Sequence, residues 1–175
     1  SCEEKLVKVS FIPYSLYYAS TKDPESFGNI YTLGVSAIAK WRGEFLIGKR
    51  SNKTFKHEGL FEWVPAGGID DRNGQIEGVA IKEQVYRELE EETGIQRLQV
   101  NSLEIDNVFI FPEEKLFEVC CVIELDYGVE ILKVSHEHQE LFFLNESKVE
   151  ELFVHTPELC VPGMKEMWDK FKLKE

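Results

Sequence analysis

A run of acidic residues constrains this chain more than any other stretch does. It reads Arg87-Glu88-Leu89-Glu90-Glu91-Glu92-Thr93-Gly94-Ile95. In a helix, Glu88, Glu91 and Glu92 are spaced so that their carboxylates share one face and repel each other. A hard divalent cation such as Mg²⁺ or Mn²⁺, which prefers carboxylate oxygens, would remove that repulsion. The run therefore predicts either a metal site or an acidic, solvated helix face.

The residues around this run favour a helix from about residue 76 to residue 92. Ile81, Val85 and Leu89 recur every four residues, so they would line one apolar face against a core. Gly94 follows in the position where glycine commonly ends a helix. The acidic face is thus expected on a helix that packs against the rest of the fold.

The surrounding pattern predicts a mixed sheet with one central helix and one or two C-terminal helices. The turn Arg42-Gly43-Glu44 joins the first two strands in a hairpin, and a helix is expected to begin at Asn145. The predicted strands comprise residues 30–41, 45–48, 98–105, 108–111, 116–125, 129–134 and 140–144.

The length of 175 residues suits one domain, which we predict to span residues 1–175. Within it, residues 1–29 would form an N-terminal extension with a strand before Pro13 and a loop from residue 21 onward. Residues 156–175 would hold a C-terminal helix. We identify no membrane span and no signal peptide.

Charge and cysteine content limit the partners and the compartment. The formal net charge of -12 argues against a large nucleic-acid surface, because phosphate binding relies on clustered Lys and Arg. Cys120 and Cys121 are adjacent in an apolar run, which predicts free buried thiols on opposite faces of a strand. Free thiols favour a reducing, cytoplasmic setting.

Two weaker clusters are candidates for substrate contact. Arg50 and Lys53 follow the predicted hairpin and could bind phosphate, although such a cluster more often belongs to a solvated loop. Tyr14, Tyr17 and Tyr18 could stack on a nucleobase, although packing is the commoner use of tyrosine.

The acidic run resembles the Nudix hydrolase family. The family signature is a glycine, five residues, a glutamate, seven residues and Arg-Glu-U-x-Glu-Glu-x-Gly-U, where U is aliphatic. Residues 87–95 match its second half at every fixed position, and Gly67 of Pro65-Ala66-Gly67-Gly68 resembles the opening glycine. The resemblance implies an α/β (α+β) domain with the Nudix fold, a mixed β-sheet sandwiched between helices (α/β/α).

The resemblance also implies roles for individual residues. Glu88, Glu91, Glu92 and the backbone carbonyl of Ala66 would bind Mg²⁺ or Mn²⁺. Arg87 would orient the glutamates through a salt bridge, and a cation beside them also keeps them ionised.

A further catalytic glutamate is expected in the segment from residue 135 to residue 140. Glu137 is the first choice and Glu140 the second, and each could equally be a surface acid. The candidate substrate contacts are Arg50, Lys53, Tyr17, Gly67 and Gly68.

The first half of the signature departs from the family pattern. The glutamate expected eight residues before Arg87 is replaced by Val79, and residues 70–77 look like an insertion. Glu77 would lie about 16 Å from Glu88 along a helix, too far to take over directly. We expect the loss of this glutamate to affect turnover or the positioning of the helix more than metal binding.

The leading hypothesis is a divalent-metal-dependent pyrophosphohydrolase. Its substrate would be a nucleoside diphosphate derivative, such as the sugar nucleotide ADP-ribose, which it would cleave to a nucleoside monophosphate. An enzyme resembling isopentenyl-diphosphate isomerase, for which Cys120, Cys121 and His136 offer raw material, is one alternative. A non-catalytic nucleotide sensor is the other, and homodimer formation is common in the family.

Overall fold

The computed structural model describes residues 10–27, 30–70, 81–131 and 133–174. These residues fall into two compact units. The larger unit contains residues 32–69 and the described chain after residue 80, and the smaller unit contains Asp70 and the described residues before Thr32. None of the helices in the described ranges has the length and apolar character needed to span a membrane.

The smaller unit contains two short helices, α1 (Tyr14–Lys22) and α2 (Pro24–Phe27). Residues 10–13 are not a strand and residues 21–27 are not a loop, so both predictions were wrong there; residues 1–9 lie outside the described chain. Pro13 directly precedes α1 with φ -57°, a value suited to a helix start. Asp23 accepts from the backbone N–H of Ser26 at 3.1 Å, which supports the start of α2.

The larger unit is built on one mixed sheet of seven described strands in the order β3-β2-β1-β6-β5, with β4 paired to β1 and β7 paired to β2. Strands β1 and β6 run parallel, whereas the other pairs are antiparallel. The strands are β1 (Thr32–Trp41), β2 (Glu44–Arg50), β3 (Phe61–Trp63), β4 (Ala66–Gly68), β5 (Val100–Phe111), β6 (Leu116–Leu125) and β7 (His138–Asn145).

Helices cover both faces of this sheet, as expected for an α/β/α arrangement. Helix α3 (Ile81–Thr93) packs on one face, and α4 (Glu146–His155) and α5 (Met164–Lys172) pack on the other. Short 3₁₀ helices at Arg97–Gln99 and Pro157–Leu159 connect these elements. The fold-class prediction is therefore confirmed.

Each face has its own apolar core, and two adjacent cysteines mark the division. Cys121 belongs to the core beneath α3, whereas Cys120 belongs to the core beneath α4 and α5. Both are free and buried, as their alternation along β6 predicted. Val85 and Leu89 of α3 are completely buried in the first core, which confirms the four-residue repeat.

Local signals in the sequence explain several element boundaries. Arg42 and Gly43 adopt positive φ values of 52° and 80°, as expected for a two-residue hairpin turn between β1 and β2. Gly94 has φ 77° and directly follows α3. Asn145 precedes α4 and accepts from the N–H of Lys148 at 3.0 Å, so the predicted helix start is confirmed.

Two strand predictions need correction. Residues 98–105 and 108–111 form the single strand β5, whose register shifts between Ile105 and Asn107 instead of breaking. The described part of residues 129–134 is not a strand. There the backbone N–H groups of Lys133 and Ser135 donate to the last turn of α3, so the chain follows the end of that helix.

Candidate active site

Helix α3 presents the three predicted glutamates at its C-terminal half. Its apolar side is fixed by Val85 and Leu89, so the acidic side is held in a defined orientation. Glu92 is only 3% exposed, Glu88 is half-buried and Glu91 is exposed. The three carboxylates thus form a series from the interior to the surface.

Strand β4 approaches α3 closely enough to touch these glutamates. The backbone N–H of Ala66 donates to Glu92 Oε2 at 3.2 Å. A Cβ atom added at Gly67 would collide with the carboxyl group of Glu88. Only a glycine allows this close approach at position 67, which gives a physical reason for the glycine in the signature.

Gln84 joins the helix, the strand and the signature arginine. Its Nε2 donates to the Gly68 carbonyl at 2.9 Å and to Glu88 Oε1 at 2.5 Å. Its Oε1 accepts from Nη2 of Arg87. Arg87 is therefore connected to Glu88 through Gln84, a residue that was not predicted from the sequence.

The pKa of Glu88 is higher than that of an ordinary glutamate. Burial raises the pKa of Glu88 to about 7, and the hydrogen bond from Gln84 partly opposes this change. The charges of Glu91 and Glu137 raise the pKa further, whereas Arg87 lowers it. A nearby cation would reverse this balance and favour the ionised form.

Glu92 experiences the same effects more strongly. Burial raises its pKa well above the usual range, and the charges of Glu62, Glu88 and Glu137 add to the effect. The hydrogen bond from the Ala66 N–H acts in the opposite direction. Buried, mutually repelling carboxylates of this kind are common at functional sites.

Glu137 lies in a different part of the chain but within electrostatic range of this group. It is exposed and lies just before β7, and its charge acts on both Glu88 and Glu92. Glu140, the second choice, lies within β7 at the register position opposite Lys49 of β2. The placement therefore favours Glu137 over Glu140 as the glutamate that the loop contributes.

A buried ionic group lies beside the acidic helix. Arg50 Nη1 contacts Glu62 Oε2 at 2.5 Å, and His138 Nε2 contacts Glu62 Oε1 at 2.9 Å. Glu62 and His138 are 6% and 5% exposed. Glu62 was not among the residues predicted from the sequence, although its place between the aromatic residues Phe61 and Trp63 was an available signal.

A second missed carboxylate lies on β6. Glu118 is 6% exposed, and its Oε1 accepts a hydrogen bond from the Ser36 hydroxyl group. Burial raises the pKa of Glu118 to about 7; the Ser36 hydrogen bond lowers it and the charge of Glu62 raises it. A Cβ at Gly34 would collide with this carboxylate, so Gly34 leaves the room it occupies.

For several predicted residues, a role beside these glutamates stays a prediction. Lys53 is exposed in the loop between β2 and β3. Tyr17 lies on α1 in the smaller unit, so its prediction as a substrate contact stays untested. Val79 and Glu77, which carry the departure from the signature, lie outside the described residues.

The donor set suits a hard divalent cation even though its side chains are not gathered around one point. Within the described ranges, no three His, Cys, Asp or Glu side chains already form a group that could hold a metal ion. Glu88 and Glu92 instead bond to Gln84 and to the Ala66 N–H. Burial and the charges of neighbouring carboxylates raise the pKa of both groups, and a bound hard cation such as Mg²⁺ or Mn²⁺ would offset both effects.

Comparisons with solved structures agree with the fold. The MutT protein from Methanosarcina mazei is 23% identical with a TM-score of 0.61, and the alignment covers 83% of this chain and 95% of that one. A C. elegans Ap4A hydrolase is 18% identical with a TM-score of 0.57, covering 81% and 96%. The NUDIX domain of Shewanella oneidensis NrtR, complexed with ADP ribose, is 17% identical with a TM-score of 0.60, covering 93% and 99%.

No curated protein matches the sequence. The family model described as the NUDIX domain, however, matches residues 30–166, which is most of the chain. This match supports a hydrolase that acts on pyrophosphate bonds. The chain belongs to the Nudix hydrolase family.

Proposed function

We propose that the protein is a divalent-metal-dependent pyrophosphohydrolase that cleaves the diphosphate linkage of a nucleoside diphosphate derivative. The main supporting observation is that Glu88 and Glu92 lie together against the backbone of β4 with strongly raised pKa values. Such carboxylates need a cation to ionise together. The products would be a nucleoside monophosphate and a second phosphate compound.

Four groups would hold Mg²⁺ or Mn²⁺: the carboxylates of Glu88, Glu91 and Glu92, and the carbonyl of Ala66. The N–H of Ala66 points to Glu92. The N–H and C=O of one residue in an antiparallel strand point to the same side, so the carbonyl also faces α3. When bound, the cation supplies positive charge to the diphosphate oxygens and favours ionisation of the attacking water.

The remaining steps belong to the protein's own residues. Glu137, exposed and within electrostatic range of Glu88 and Glu92, would accept a proton from the water that attacks one phosphorus atom. The new P–O bond forms as the anhydride P–O bond breaks, and the leaving phosphate takes the electron pair. Arg50, held through Nη1 and Nε, would present a fixed cation to a substrate phosphate.

Two of the structural relatives act on nucleotides, but they do not indicate one particular substrate for this chain. One neighbour is a bifunctional NMN adenylyltransferase/ADP ribose pyrophosphatase from Francisella tularensis, 13% identical with a TM-score of 0.63, covering 93% of this chain and 45% of that one. Together with the Ap4A hydrolase, it makes ADP-ribose and diadenosine tetraphosphate the first compounds to test.

The isomerase alternative is disfavoured by the cysteines. Cys120 and Cys121 are completely buried in the two cores, and burial raises the pKa of Cys121 to about 11. A thiol in this state is poorly placed to transfer protons to a substrate. Free buried thiols also support the proposal of a cytoplasmic setting.

The test incubates the protein with a panel of substrates and Mg²⁺ or Mn²⁺ and measures the release of nucleoside monophosphate. We expect turnover of at least one nucleoside diphosphate derivative, and a loss of more than about 100-fold in Glu92→Gln. The matched control is Glu90→Gln, because Glu90 is an exposed glutamate of the same helix. Equal rates in both variants would contradict the site assignment.

Other outcomes of the panel identify the alternatives. Tight nucleotide binding without turnover of any compound would indicate a non-catalytic sensor. Double-bond migration in isopentenyl diphosphate would indicate the isomerase. Homodimer formation stays a prediction, which sedimentation of the purified chain would test.

A further inference from the structure

The carboxylate of Glu62 makes a buried contact with each of its two oxygens. Oε2 accepts from Arg50 Nη1 at 2.5 Å, and Oε1 lies 2.9 Å from His138 Nε2. Glu62 belongs to β3, whereas Arg50 ends β2 and His138 begins β7. One side chain in the middle of β3 therefore joins the end of β2 to the start of β7.

His138 transmits this contact to the segment that precedes it. Its ring packs so closely over Gly48 that a Cβ atom there would collide with it. Its Nδ1 lies 3.4 Å from the hydroxyl of Ser135, and that hydroxyl accepts from the backbone N–H of Glu137 at 3.2 Å. We call residues 135–138 the Glu137 loop.

The backbone of the Glu137 loop is held at both sides of the site. The N–H of Ser135 donates to the Glu92 carbonyl at 3.2 Å, and the N–H of Ser51 donates to the Glu137 carbonyl at 2.7 Å. These bonds attach the loop to α3 and to the end of β2. The link through His138 attaches it to the interior, since His138 is its buried member.

We propose that Glu62 is a positioning residue that, through His138, holds the Glu137 loop with the Glu137 carboxylate facing Glu88 and Glu92. The inference rests on the proposed function and adds a residue to it. Glu62 itself transfers no proton and touches no substrate in this scheme. Its effect depends on placing Glu137, because a displacement of about 1 Å in a reacting group can cost about 100-fold in rate.

The first test measures amide hydrogen exchange of the whole chain, which needs no enzymatic activity. In Glu62→Ala, the amides of the Glu137 loop should exchange about 10-fold faster or more, while those of α5 keep their protection. His138→Ala breaks the same link from the other side and should give the same pattern. Glu62→Gln keeps an oxygen for His138 and should stay within about 3-fold of the wild type.

Arg50→Ala is the matched control, because of the two contacts of Glu62 it affects only the one that does not involve His138. It removes the contact to Oε2 and leaves the contact between Glu62 and His138 in place. Exchange in the Glu137 loop should therefore change by less than about 3-fold in this variant. Equal loop exchange in wild type, Glu62→Ala and His138→Ala would overturn the proposal whether or not the protein hydrolyses a nucleotide.

The second test is a double-mutant cycle on the hydrolysis rate. Glu62→Ala should lower kcat about 10- to 100-fold with KM nearly unchanged, and adding Glu137→Gln should lower it little further. Independent, multiplying losses would overturn the proposal, as would a rise in KM alone. A wild type without turnover would refute the proposed function, and the exchange experiment would still decide the positioning role.

Discussion

Replacing Glu118 by Gln should make the stability of the protein less dependent on pH. Glu118 is buried on β6, and its pKa is about 7 in the folded chain against 4.5 for the ordinary group. A carboxyl group with a raised folded pKa stays protonated in the folded state while the unfolded chain has already ionised it. The folded state is therefore penalised as pH rises from 4.5 to 7, and the penalty is complete above about pH 7.

The size of the penalty follows from the two pKa values. One pKa unit corresponds to about 1.4 kcal/mol, so the full penalty is about 3 kcal/mol above pH 7 and falls below about 1 kcal/mol at pH 5. Glu118→Gln removes the ionisation and hence the penalty. The difference in free energy of unfolding between variant and wild type should therefore increase by about 2 to 3 kcal/mol as the pH rises from 5 to 8.

Urea unfolding of both proteins at a series of pH values measures this difference. Comparing the change between pH values cancels any constant cost of the new amide beside Ser36, which hydrogen-bonds Glu118. In thermal unfolding, the gain corresponds to about 5–10 °C in Tm for a chain of this size. A difference in the free energy of unfolding that stays constant from pH 5 to pH 8 would refute the reasoning.

Three further perturbations test the site and the elements that surround it. Gly67→Ala should lower the free energy of unfolding by about 1–3 kcal/mol because its Cβ collides with Glu88, whereas Gly68→Ala meets no atom within 4 Å and should leave Tm unchanged. Asn145→Ala should cost about 1 kcal/mol through loss of the cap on α4, measured by urea unfolding; an unchanged midpoint would contradict the capping role. Mg²⁺ or Mn²⁺ should raise Tm, more at pH 8 than at pH 6, because Glu88 with a pKa of about 7 must lose its proton to bind; equal shifts at both pH values would contradict this order.

The sequence predicted the parts of the site that depend on local spacing. The repeat of Val85 and Leu89 orients α3, and Gly94 ends it. These features act within one or two helical turns, so they can be read from neighbouring residues. Gly67 was chosen by resemblance, and its close approach to Glu88 supplies the steric reason.

The sequence did not predict the residues whose partners are distant in the chain. Glu62 and His138 are separated by 76 positions, and Ser36 and Glu118 by 82. Their pairing depends on which strands become neighbours in the sheet, and no spacing rule reports that. The N-terminal helices were missed for a different reason: alternation before Pro13 indicated a strand that the proline would end, whereas proline also suits the start of a helix.

The pairing of β2 with β7 has a consequence for synthesis of the chain on the ribosome. Leu46 pairs with Phe143, so the partner of β2 at this position is synthesised 97 residues later. At about 5–20 residues per second, β2 would have an unpaired edge for several seconds to tens of seconds. During that interval the nascent chain carries an apolar strand with unpaired hydrogen-bonding groups. Chaperones bind such surfaces, and when chaperones are scarce the strand can pair with other chains. A chain that stops before residue 138 would never close this edge, and it should be recovered mainly in aggregates.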